Sequence, residues 1–124
     1  MAAQFADSAV STAVAVDRLV ERHGAQVVEF GMWHGDLTPW NTATSHGVSS
    51  IWDWEFADDH RPVGFDALHI AFELVRRRAA GNERAAVDSI ERNAADILGS
   101  LAKGPAVDAI VDLYFCELLA REQR

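Results

Sequence analysis

Two short stretches of the chain carry polar side chains at spacings that suit phosphate and metal chemistry. The first is His34-Gly35-Asp36-Leu37-Thr38-Pro39-Trp40-Asn41, and the second is Ile51-Trp52-Asp53-Trp54-Glu55. In the first, an Asp and an Asn lie five positions apart across a loop marked by Gly and Pro. In the second, the Asp53 carboxylate stands between bulky apolar residues on an expected strand. Burying it there is costly unless a cation or hydrogen-bond donors meet it. Side chains alternate along a strand, so Trp52 and Trp54 would face opposite to Asp53. A hairpin joining the two stretches would set Asn41 and Asp53 side by side. Their hard oxygen atoms suit Mg²⁺ held together with waters and substrate phosphates. Asp36 would sit nearby, free to accept a proton.

The elements that must position these residues follow from periodicity. A first helix is expected with Asp7 or Ser8 as its cap and Val10, Ala13, Val14, Asp17 and Leu19 along one stripe, ending at Gly24. An extended run follows from Gln26 to Trp33. Residues 34–40 then form the structured loop. Asn41–Ser45 and Val48–Trp54 read as two strands around a turn at His46-Gly47. Glu55–Gly64, with its acids, Arg61 and Pro62, reads as a loop. Phe65, Leu68, Phe72 and Val75 line a helix that ends before Gly81. A second runs from about Glu83 to Leu101, with Ala86, Ile90, Ala94, Ile97 and Leu101 on its buried side. Gly104-Pro105 opens a third, whose apolar face is Val107, Ile110, Val111, Tyr114, Phe115, Leu118 and Leu119. The expected class is α+β and mostly helical, a single domain over 1–124 with a small hairpin bearing the site.

The pattern His-Gly-Asp-x-x-x-x-Asn followed by Ile-x-Asp-Trp-Glu resembles the aminoglycoside phosphotransferase and choline kinase group, relatives of the protein kinases. Gly64-Phe65-Asp66-x-Leu68 is similar to that family's Asp-containing helix start, so the likeness covers residues 34 to 72. The resemblance implies the C-terminal, catalytic lobe of a protein-kinase-like fold. It implies ATP as phosphoryl donor and a small-molecule hydroxyl as acceptor, aminoglycoside-like, choline-like or another metabolite. By position it makes Asp36 the base, His34 an orienting residue beneath the loop, and Asn41 and Asp53 the ligands of Mg²⁺ against the nucleotide phosphates. Asp66 would tie the loop to its helix. Thr38 and Trp40 depart from the commonest form, which has His and a small residue there.

A nucleotide must be clamped for phosphoryl transfer. The family does this with an N-terminal lobe bearing a phosphate-covering loop and a lysine. Here the eight glycines form no Gly-x-Gly-x-x-Gly cluster, and the single lysine, Lys103, lies downstream of the motifs. The stretch before His34 reads as one helix and one strand, too short for that lobe. The expectation is therefore a lobe that is incomplete for catalysis alone, either part of a longer enzyme or a free-standing remnant. A missing lobe partner would expose an interlobe face, and self-association would cover it.

The formal net charge of −8 opposes phosphate backbones and argues against nucleic acid as a partner. Apolar stretches are broken by charge well short of a membrane span, and Asp7 with no basic start argues against a signal peptide. One cysteine, Cys116, excludes an internal disulfide and reads as a buried structural thiol. These features favour the cytoplasm. His23, His34, His46, His60 and His69 fit no zinc spacing, and His69 falls beside the apolar face of its helix. Trp33, Trp40, Trp52 and Trp54 read as packing around the motifs. Arg76-Arg77-Arg78 reads as a solvated helix end. Glu55, Asp58 and Asp59 would suit a cationic acceptor. Two other readings stand beside the kinase-like one: an inactive lobe serving as a binding or oligomerisation module, and a metal-dependent hydrolase using Asp36, Asn41 and Asp53 without nucleotide.

Overall fold

Ser11 starts the first helix, its hydroxyl accepting the Val14 N–H at 3.3 Å, and Gly24 closes it. This helix, α1, spans Thr12–His23 in the computed structural model, which describes residues 11–122. The expected caps Asp7 and Ser8, and Val10 of the stripe, lie outside the described residues. Strand β1 is Phe30–Trp33, shorter than the extended run from Gln26. A 3-10 turn at Pro39–Asn41 leads into β2, Thr42–Ser45, which pairs antiparallel with β3, Val48–Ile51. At the expected turn, His46 and Gly47 have φ of 52° and 75°, the pair of positive values that a tight two-residue hairpin turn requires.

A fourth strand lies where sequence reads only loop. Strand β4, Asp58–Pro62, pairs antiparallel with β1, with Phe30 opposite Pro62, Gly31 opposite Arg61 and an irregularity before Trp33 meets Asp58. Its composition, Asp-Asp-His-Arg-Pro, has no apolar alternation. Charge and proline suit an unshared strand edge, which explains why the pattern conceals it. The two small sheets, β1–β4 and β2–β3, are separate.

The helices make the core. Helix α2 is Phe65–Arg78, α3 is Glu83–Leu98 and α4 is Pro105–Glu122. Asn82 caps α3 by accepting the Ala85 N–H at 3.1 Å. That helix stops three residues short of expectation. Gly99 takes φ of 55° and begins a 3-10 turn to Leu101, which is 47% exposed rather than buried. Helix α4 does not present one apolar face. Ala109, Asp112 and Val111 are buried along with Ile110, Tyr114 and Phe115, because α1, α2 and α3 all pack against it. Phe72, Phe115 and Tyr114 meet edge to face at centroid distances of 5.1 to 6.2 Å. Burying each such ring contributes about 1.5–3 kcal/mol. Cys116 is half-buried against this core, and burial, then the neighbouring Glu117 carboxylate, push its thiol up. Among the described residues no helix is long and apolar enough to cross a membrane.

Asp112 is an acid on that central helix, and α1 meets it. His23 Nε2 lies 2.6 Å and Arg22 Nη1 3.1 Å from its Oδ2. The Asp112 side chain is almost enclosed while Arg22 is largely in water. Removing both partners together, Arg22→Ala with His23→Ala, strands a buried carboxylate and is expected to cost about 3–5 kcal/mol. Asp112→Asn leaves Arg22 solvated and is expected to cost less. The check is urea unfolding, with the midpoint falling in that order and the slope unchanged. A double variant as stable as wild type would show that the contact does not hold α1 to the core.

Candidate active site

The loop between β1 and the hairpin is held from below. Asp66, in the first turn of α2, accepts the His34 N–H with both oxygens, at 2.9 and 3.1 Å. His34 is buried. Its Nδ1 accepts the Asp36 N–H at 3.2 Å, which leaves the ring proton on Nε2 to donate to the Trp52 carbonyl at 2.7 Å. Its ring meets Trp54 edge-on, 4.6 Å between centroids. His34 thus fastens the loop to the segment after β3 through both nitrogens.

Gly35 takes φ of 94°, a conformation that glycine adopts without strain. Its carbonyl accepts a bond from Arg121 Nη1 at 2.7 Å, and the same guanidinium stacks on the Trp33 ring at 4.5 Å. Asn41, also buried, donates from Nδ2 to the Asp36 carbonyl at 3.0 Å, and that nitrogen lies 3.5 Å from Asp36 Oδ2. The Asn41 carbonyl accepts the Trp52 N–H at 3.1 Å. Asp36 itself is 38% exposed at its side chain, with Oδ1 3.1 Å from His69 Nε2. His34, Asp36 and Asn41 therefore share one hydrogen-bonded loop, and Asp53 sits one residue beyond the Trp52 backbone that both His34 and Asn41 grip.

Asp53 differs from its expected setting. Strand β3 ends at Ile51, so Asp53 is exposed, beyond the strand, with φ of 66°. For a residue other than Gly this is a strained, left-handed conformation. Trp52 and Trp54 do not alternate across a pleat. Trp54 folds back to donate from Nε1 to the Ile51 carbonyl at 3.0 Å. Both tryptophans stay half exposed, as do Ile51 and Phe56. Among the described residues the Asp53 carboxylate meets no donor or cation, and the Asn41 amide oxygen accepts no hydrogen bond. No three His, Cys, Asp or Glu side chains among the described residues are grouped to hold a metal.

No protein-family model, curated protein or solved structure matches this chain.

Three contributors to the loop escape the motif. His69 is buried in α2 and bridges Asp36 to the Tyr114 hydroxyl, 2.8 Å from its Nδ1, rather than standing as an isolated core histidine. Its spacing offers a signal: Asp66 and His69 are three apart, so the helix face that holds His34 also carries His69. Tyr114 and Arg121 come from α4, and nothing near the motif announces them. The arginine run does more than end a helix. Arg76 pairs with Glu83 at 3.3 Å, and Arg77 lies over the Trp40 ring at 4.7 Å. Trp40, Glu73, Arg76 and Arg77 border an open cavity of about 500 Å³. Thr38 is buried, and its hydroxyl has no partner among the described residues.

Proposed function

We propose that this chain is the catalytic lobe of an ATP- and Mg²⁺-dependent phosphotransferase of the aminoglycoside phosphotransferase and choline kinase type, acting on a small-molecule hydroxyl. One observation carries the reading: Asp36 and Asn41 share a rigid loop whose backbone is bonded to the segment that presents Asp53. The groups suited to Mg²⁺, Asn41 Oδ1 and the Asp53 carboxylate, have no protein partner among the described residues, which suits an external cation. Held by Asn41 and Asp53, Mg²⁺ would supply positive charge to offset that of the phosphates. Asp36 Oδ2 takes the proton of the acceptor hydroxyl. The acceptor oxygen bonds to the γ-phosphorus, and the bond to the bridging oxygen breaks, leaving its electron pair on ADP. The cavity lined by Trp40, Glu73, Arg76 and Arg77 has the size of a small-metabolite site. In this reading another lobe clamps the nucleotide.

The second reading, a binding or oligomerisation module, draws on the exposed apolar side chains Val48, Ile51, Trp52, Trp54 and Phe56. Tryptophan fluorescence separates the two, because Trp40, Trp52 and Trp54 flank the loop. The phosphotransferase reading expects a saturable change on titration with Mg²⁺-ATP, beyond that with Mg²⁺ alone, and its loss in Asp53→Asn. A folded protein that gives no change favours the module.

A further inference from the structure

One line of contacts remains that the roles above do not use, and it runs inward from Asp36. Asp36 Oδ1 meets His69 Nε2 at 3.1 Å, and His69 Nδ1 meets the Tyr114 hydroxyl at 2.8 Å. The three residues come from the loop, α2 and α4. We propose that His69, oriented by Tyr114, is the positioning residue for Asp36: the Tyr114 hydroxyl donates to Nδ1, so the ring proton stays on Nε2 and donates to Oδ1. This inference rests on the phosphotransferase reading for what Asp36 does, though not for how Asp36 is held.

The direction of each bond follows from the chemistry of its ends. A carboxylate only accepts, so an ionised Asp36 requires a proton on His69 Nε2. Tyr114 is fully buried, and burial first, then the Glu73 carboxylate, hold its hydroxyl well above the usual phenol range. The phenol therefore keeps its hydrogen, and the adjacent Nδ1 is there to accept it. The ring has nowhere to turn. His69 is itself buried, lying edge-on to Tyr114 at 6.0 Å, while Tyr114 is locked by Phe65, Phe72 and Phe115. A base fixed through Oδ1 offers Oδ2, whose neighbour is the Asn41 amide at 3.5 Å, in one orientation. Holding a reacting group in place is a large part of what a phosphotransferase site can contribute. A histidine that merely fills the core would need neither bond.

The test is nitrogen NMR of the full chain labelled at histidine, comparing wild type with Tyr114→Phe. The expected wild-type spectrum has a protonated Nε2 and a bare, accepting Nδ1 at His69. Tyr114→Phe, which removes one oxygen from a packed ring, should move both nitrogens toward a mixture of tautomers. A proton on Nδ1 in the wild type, or a spectrum unchanged in folded Tyr114→Phe, overturns the inference. Transfer kinetics supply the second arm. His69→Leu should lower kcat about 10–100-fold with KM for ATP unchanged, and His69→Gln, which keeps an N–H to donate, should recover most of it. Equal losses in both variants, or none, also overturn it. Where this lobe alone transfers no phosphate, in keeping with a nucleotide clamped by another lobe, the nitrogen spectra alone decide how Asp36 is held.

Discussion

Asp36→Asn is expected to lower the rate of phosphoryl transfer about 10²–10⁴-fold, the usual contribution of a positioned general base. The substitution is nearly isosteric. An amide oxygen can still accept from His69 Nε2, and the backbone bonds of Asp36 to His34 and Asn41 do not involve its side chain. Stability and Mg²⁺-ATP binding should therefore stay close to wild type while kcat falls, since only the capacity to take a proton is lost. The measurement is transfer from ATP to a panel of small alcohols, alongside a thermal melt. A rate that survives the change would remove Asp36 from the role of base. A loss of stability equal to the loss of rate would instead make it part of the loop's framework.

Gly35→Ala should do more damage to the fold than any other single methyl group at this site. A Cβ at Gly35 would lie 2.4 Å from the Phe56 carbonyl oxygen and 2.7 Å from its carbon, which are backbone atoms with no rotamer to change. The residue also holds φ of 94°, which Ala resists. Overpacking costs about 1–3 kcal/mol and the left-handed backbone about 1–2 more. That is a large fraction of a stability of about 5–15 kcal/mol. Gly47→Ala supplies the control. It has φ of 75° but no heavy atom within 4 Å of the added methyl, so only the conformational part applies. Chemical denaturation should rank Gly35→Ala well below Gly47→Ala. Equal midpoints would mean that the 52–56 segment moves aside without cost.

How much of this is legible in sequence depends on how local each cause is. The hairpin is, because His46-Gly47 announces its turn and Thr42 through Ile51 supply short extended runs. Among the described residues, so are the four helices, whose apolar residues recur at helical spacing. Strand β4 is not: it is paired through its backbone, and its side chains are chosen for an exposed edge. The end of β3 is hidden for a related reason. Alternation continues in the sequence through Trp52 and Trp54, yet the chain turns left-handed at Asp53 and no side-chain pattern encodes that. At the site, the polar residues of residues 34–41 are adjacent in the chain and so visible together. What braces them is not. Arg121 bonds the Gly35 carbonyl across a sequence separation of 86, and Tyr114 reaches His69 across 45.

That contrast bears on whether the site could be moved. A peptide or graft carrying residues 33–54 would hold His34, Asp36, Asn41 and Asp53 in full. It would lack Asp66, His69, Tyr114 and Arg121, which set the loop's amide, carboxylate and carbonyl from two helices. Transplanted alone, the segment keeps its vocabulary and loses its grammar. A scaffold that received it would have to rebuild a carboxylate under the first amide and a guanidinium on the Gly35 carbonyl before the loop could take the same shape.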